Sequence, residues 1–162
     1  MAYSLCRAEA DADDALVWKA GGPPFAPLQG QAWAKVDVLL VEDDALVREC
    51  LAEVLGDAGW RVGKAAGAAE ALDRIAADGM PGVLVTDLAL GRGMDGLALI
   101  DAARLRWPGV RAVLISGTDM AEPVLDPGDR FLRKPFHVDT LTRAVSELAA
   151  GQGVAGLEHA IS

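Results

Sequence analysis

Val83-Leu84-Val85-Thr86-Asp87-Leu88 is the stretch whose reading decides the fold. Its apolar and β-branched residues run without interruption into a single carboxylate. A short, continuous run of this kind is a strand buried on both faces, as in a parallel sheet. Asp87 falls where that strand ends. An acid there lies at the rim of the sheet, where open α/β sheets place their ligand sites.

Similar strands stand on both sides of it. Residues 36–41 form an apolar strand that runs into Glu42, Asp43 and Asp44. Leu46, Val47, Cys50, Leu51, Val54 and Leu55 follow at helical spacing and predict an inward face, with Cys50 as a core residue. Gly59 suits the C′ position of that helix. Residues 60–65 give a shorter, more polar strand, suited to an edge, and 67–77 an Ala-rich helix. Beyond Asp87, Asp95 can cap a helix with Leu97, Ile100 and Ala103 inward. Residues 110–115 are a fourth strand ending at Ser116-Gly117, and 130–133 a fifth ending at Lys134-Pro135-Phe136. Between those two, Pro123 and Pro127 disfavour a long regular helix. A last helix is expected over 138–149, with Val138, Leu141, Ala144, Val145 and Leu148 inward and Gly151 and Gly153 ending it. Five strands thus alternate with four helices and one degraded connection. That alternation predicts a doubly wound α/β fold with a five-stranded parallel sheet covered on both faces.

Composition sets limits on the rest. The chain has 162 residues, a hydrophobic fraction of 52% and a net charge of −9. One core domain with some spare chain fits that length, and phosphate-backbone binding is disfavoured by the acidity. Nucleic acid is therefore not expected as a partner. No stretch is apolar enough to span a bilayer, and the acidic N-terminus lacks the layout of a signal peptide, so a cytoplasmic protein is expected. Residues 1–35, rich in Gly, Pro, Ala and Asp, read as a largely disordered arm. Its Trp18, Phe25 and Trp33 leave open an arm that docks on the domain or on a partner. Residues 36–150 form the expected domain and 151–162 a tail, with no room for a further folded unit.

Polar residues collect at one edge of the expected sheet: Glu42 and Asp43 after the first strand, Asp87 after the third, Ser116 after the fourth and Lys134 after the fifth. Clustered carboxylates repel, and a hard divalent cation relieves the repulsion; Mg²⁺ suits because it takes one or two carboxylates, keeps waters and shares a phosphate oxygen. Lys134 adds a point charge for an anion, and Ser116 a hydroxyl. Together they describe phosphoryl transfer to a carboxylate.

Four motifs, each at a strand end, make the chain resemble a response-regulator receiver domain of two-component signalling. They are Val38-Leu39-Leu40-Val41-Glu42-Asp43-Asp44; Val85-Thr86-Asp87 with Gly93-Met94-Asp95-Gly96; Leu114-Ile115-Ser116-Gly117; and Phe131-Leu132-Arg133-Lys134-Pro135-Phe136. The resemblance implies a flavodoxin-like strand order 2-1-3-4-5. It implies Asp87 as phosphoacceptor, with Mg²⁺ held by Glu42, Asp43, Asp87 and the backbone carbonyl of Ala89. It implies Ser116, Gly117 and Lys134 around the phosphoryl group, Phe131 as a switch aromatic, and a cis bond before Pro135. A histidine kinase or histidine phosphotransfer protein would be the donor in the phosphorelay, and a downstream protein the reader. Such a domain is not an enzyme in the ordinary sense, although it assists its own phosphorylation and dephosphorylation.

Three departures stand out. The loop after Asp87 is one residue longer than the commonest family spacing and has Gly91 where proline is frequent. The connection after Ser116 predicts a shortened or distorted fourth helix. The expected lack of an output domain suggests a stand-alone receiver, similar to those attached to hybrid histidine kinases. The competing functional class is a receiver-like interaction module that works without phosphorylation. A phosphatase that forms an aspartyl phosphate is disfavoured, because Glu42 stands where its nucleophilic aspartate would.

Overall fold

A computed structural model describes residues 36–117 and 122–158. The expected N-terminal arm over 1–35, residues 118–121 and residues 159–162 lie outside the described residues. The elements are β1 (Val38–Val41), α1 (Ala45–Asp57), β2 (Val62–Ala65), α2 (Ala68–Asp78), β3 (Val83–Asp87), α3 (Gly96–Arg106), β4 (Arg111–Ser116), β5 (Arg130–Arg133) and α4 (Val138–Glu158). All strand pairs are parallel, and the sheet order is β2-β1-β3-β4-β5. This is the doubly wound, flavodoxin-like arrangement, with its switch point between β1 and β3.

Burial explains the pattern. β1 and β3 are buried throughout and β4 at all but its first residue, whereas β2 alternates and β5 has exposed ends, as edge strands do. Successive side chains point to opposite faces, so each central strand feeds two cores. Val38, Leu40, Val85, Val113 and Ile115 pack with Leu51 and Leu55 of α1 and with Leu141, Val145 and Leu148 of α4. Leu39, Val41, Leu84 and Leu114 pack with Ala71 and Ile75 of α2 and with Leu99, Ile100 and Ala103 of α3.

Local signals set the helix ends. The Asp44 side chain accepts from the amides of Leu46 and Val47, and that of Asp95 from Ala98. At the end of α1, Gly59 has φ +97°, its amide donates to the Gly56 carbonyl, and Trp60 donates to that of Leu55. Those two bonds and the left-handed glycine make a Schellman cap. Glycine at 96 is required for a different reason. A Cβ there would overlap the carbonyl oxygen of Asp87, so α3 can start against the end of β3 only without a side chain.

The inner faces differ from expectation at three positions. Leu46 is 63% and Val138 49% exposed, because each lies in the first turn of its helix, beyond the end of the sheet that the later turns cover. Cys50 is half-buried instead of core. The last helix does not end at Gly151 and Gly153; α4 continues to Glu158. Glycine costs only about 1 kcal/mol in a helix interior and does not forbid the conformation.

The connection from β4 to β5 carries no helix among its described residues, 122–129. Ion pairing to α3 holds it in place. The Arg104 guanidinium bonds both carboxylate oxygens of buried Asp129 at 2.6 Å and reaches Asp126 at 3.1 Å.

Candidate functional site

The C-terminal ends of β1, β3, β4 and β5 meet at one edge of the sheet, and the polar residues expected there are brought together. Asp87 ends β3 and is buried. One of its carboxylate oxygens accepts the Ala89 amide at 3.0 Å, and the other accepts the Lys134 ammonium at 2.6 Å. The same ammonium lies 3.4 Å from the carboxylate of Glu42, which is also buried. The backbone explains the convergence. Leu88 donates to the Ile115 carbonyl at 2.7 Å and Lys134 to that of Ser116 at 2.8 Å, so the loops after β3 and β5 are both pinned to β4.

The remaining residues surround this centre. Asp43 is exposed, and its carboxylate stands over Gly91, 3.4 Å from where a Cβ would project. Gly91 has φ +73°, so the loop following β3 turns back toward Asp43 at a position that suits glycine. Ser116 is buried at the end of β4, and Gly117 packs beside the Lys134 stem. The Lys134–Pro135 peptide is cis. Phe131 is set apart from the acids. It is half-buried in the core on the α2–α3 face, with the Arg133 guanidinium 5.7 Å from its ring centroid.

Burial dominates the electrostatics. It pushes the Glu42 carboxyl up from 4.5 to about 7; the neighbouring Asp87 charge adds to this, while the Asp44 amide and the Lys134 ammonium pull the other way. Burial pulls the Lys134 ammonium down, and the Asp87 and Glu42 carboxylates outweigh it, so its pKa lies above the ordinary lysine value. A carboxyl with a raised folded pKa binds its proton more tightly folded than unfolded. Its contribution to stability is complete below 4.5 and is lost as pH rises through about 7. The metal-free protein should therefore melt at lower temperature at about pH 8 than at about pH 5, and Glu42→Gln should flatten that slope. A variant with the same slope as the wild type would assign the effect elsewhere.

Among the described residues, no group of three or more His, Cys, Asp or Glu side chains stands ready to hold a metal ion. The Lys134 ammonium occupies the space between Glu42 and Asp87, and Asp43 leans toward Gly91. The donor chemistry nevertheless fits Mg²⁺, which needs only one or two carboxylates and keeps its waters. A buried acid with a strongly raised pKa beside a second acid is a place where added positive charge is favourable.

Two features escaped the sequence reading. Arg48 of α1 donates to the Glu42 carbonyl oxygen at 2.7 Å. At the opposite end of the sheet, Arg61 binds the buried Asp37 carboxylate at 2.7 Å, a second ion pair beside the one between Arg104 and Asp129. From the sequence alone, an arginine gives no sign of which distant oxygen it meets.

A parallel sheet in this order, with acids and a lysine gathered at its switch-point edge, defines the flavodoxin-like class of ligand-binding α/β domains. The family described as the response regulator receiver domain matches residues 38–146, and the chain belongs to it. A curated relative, the C4-dicarboxylate transport transcriptional regulatory protein DctD of Rhizobium meliloti, is 33% identical over 68% of this chain and 25% of its own length. The crystal structure of a response regulator receiver protein from Sinorhizobium medicae superposes with a TM-score of 0.64 at 28% identity, covering 71% of this chain and 94% of that one. The response regulator TrrA from Thermotoga maritima, solved in complex with Mg²⁺-BeF, has a TM-score of 0.62 at 25% identity over 68% and 96% of the two chains. The chain spans about a quarter of the length of the first curated relatives it matches. The family is a phosphoacceptor signalling domain of two-component systems. No helix among the described residues is long and apolar enough to cross a membrane.

Proposed function

We propose that the chain takes a phosphoryl group from a phosphohistidine of a partner kinase, or of a histidine phosphotransfer protein, onto Asp87. The observation that carries this reading is the 2.6 Å contact between the Asp87 carboxylate and the Lys134 ammonium, beside a second buried acid. A carboxylate oxygen of Asp87 attacks phosphorus in line. The new O–P bond forms as the N–P bond breaks, and the imidazole leaves with the bonding electron pair. The Ala89 amide orients the Asp87 carboxylate. Lys134 then serves the phosphoryl oxygens with the charge it now gives Asp87. Mg²⁺ would be held by Asp43, Asp87, the Ala89 carbonyl and, through water, Glu42; it would neutralise charge on the transferred oxygens. The Ser116 hydroxyl then follows the phosphoryl group, beside Gly117, and Phe131 turns toward the space vacated. The shape change reaches a downstream protein through the β4–β5 side of the domain.

Incubation with Mg²⁺ and acetyl phosphate should add the mass of one phosphoryl group, and chelation of the metal should prevent it. The adduct should be labile to hydroxylamine, as an acyl phosphate is. An unchanged mass with Mg²⁺ present would favour the receiver-like module that works without phosphorylation.

A further inference from the structure

We propose that Arg48 is a positioning residue for the cation site, acting through the bond from its guanidinium to the carbonyl oxygen of Glu42. This rests on the reading that Glu42, Asp43 and Asp87 hold a divalent cation. β1 pairs with β3 only as far as Val41, opposite Thr86. At Glu42 the chain leaves that ladder and turns into Asp43 and Asp44. The turn is anchored at three points. The Glu42 amide donates to the Ala65 carbonyl of β2 at 3.1 Å. The Glu42 carboxylate accepts the Asp44 amide at 3.2 Å. Arg48 reaches back from α1 to the Glu42 carbonyl at 2.7 Å, the shortest of these bonds. The Asp44 side chain also ties the turn to α1 through its cap, but Arg48 is the tie from α1 to Glu42 itself.

A charge argument alone predicts the opposite effect. A permanent cation near a metal site repels the metal, so removing it should tighten binding. That repulsion is tempered here by the negative charges of two acids close enough to feel the Arg48 charge. Glu49, held low first by Lys64, also feels the Arg48 charge. So does Glu70, held low first by the Ala66 amide and lying in the first turn of α2. The 2.7 Å bond to the turn is the direct contact of Arg48 with the site, and it favours the geometric role. Outer residues that orient a ligand typically change metal affinity by about 10–100-fold.

The sign of the effect separates the two roles. Mg²⁺ is titrated by calorimetry into the full chain and into Arg48→Met, with Arg48→Gln as a second variant should the first fail to fold cooperatively. Positioning predicts Mg²⁺ binding weakened by about tenfold in the folded variant. Equal or tighter binding in a folded variant overturns it. A wild type that binds no Mg²⁺ overturns the cation reading and this inference with it, so the two failures are distinguishable.

Discussion

Asp87→Ala should remain unlabelled after incubation with acetyl phosphate and Mg²⁺, while Asp95→Asn should label like the wild type. Asp87 holds the shorter of the two Lys134 contacts, 2.6 Å against 3.4 Å for Glu42, and its other carboxylate oxygen accepts the Ala89 amide. Those contacts orient the group and offset its charge. The other acids at this edge are placed for different work. Glu42 is buried with a raised pKa, so near neutral pH it is in part protonated and a poor nucleophile. Asp43 is exposed and turned toward Gly91. Asp95 spends its carboxylate on the cap of α3. Alanine at 87 removes the attacking atom, so the expected loss is complete, and mass spectrometry of the intact protein reads it directly. Phosphoryl mass retained in Asp87→Ala would move the acceptor to another residue and overturn the assignment.

Arg104→Leu should cost about 3 kcal/mol of folding stability or more, because it leaves a buried carboxylate without its counter-ion. The Asp129 side chain is fully buried, while that of Arg104 is 20% exposed. The guanidinium also reaches the Val110 carbonyl at 3.2 Å, so one side chain ties α3, the entry to β4 and the entry to β5. The Ala112 amide still donates to Asp129 at 2.9 Å in the variant, which keeps the cost near the lower end of the range. Asp126→Ala provides the contrast. That carboxylate is 68% exposed, and its loss should change stability by no more than about 1 kcal/mol. Urea unfolding of both variants measures the difference; equal effects would show that burial of Asp129 does not govern the pair. The pair holds the segment leading into β5, the strand that carries Phe131 and delivers Lys134 to Asp87.

Much of this was legible without coordinates because it depends on local patterns. A continuous apolar run such as 83–85 can only be satisfied between two covering layers. Asp95 before Gly96 and Gly59 after α1 are short-range signals of helix ends, read from a few neighbouring residues. Strand-end placement then carried Glu42, Asp87, Ser116 and Lys134 to one edge, because a parallel sheet aligns its C-terminal ends. The length of α4 misled because glycine weakens a helix without ending it, and Leu46 and Val138 misled for a different reason. Periodicity reports which face a residue is on, and not whether another layer stands opposite it.

By itself, then, the sequence determined the α/β class, the strand order implied by its resemblance and the identity of the acids, hydroxyl and lysine at one edge. Tertiary structure alone decided which oxygen each cation meets. Lys134 lies between Asp87 and Glu42, Arg48 reaches the Glu42 carbonyl, and Arg104 and Arg61 neutralise the buried acids Asp129 and Asp37. Long, flexible cationic side chains can reach many acceptors, and the choice among them is made by desolvation. Only in the packed protein are Asp129, Asp37 and Glu42 stripped of water, and a buried carboxylate then has to find its partner within reach.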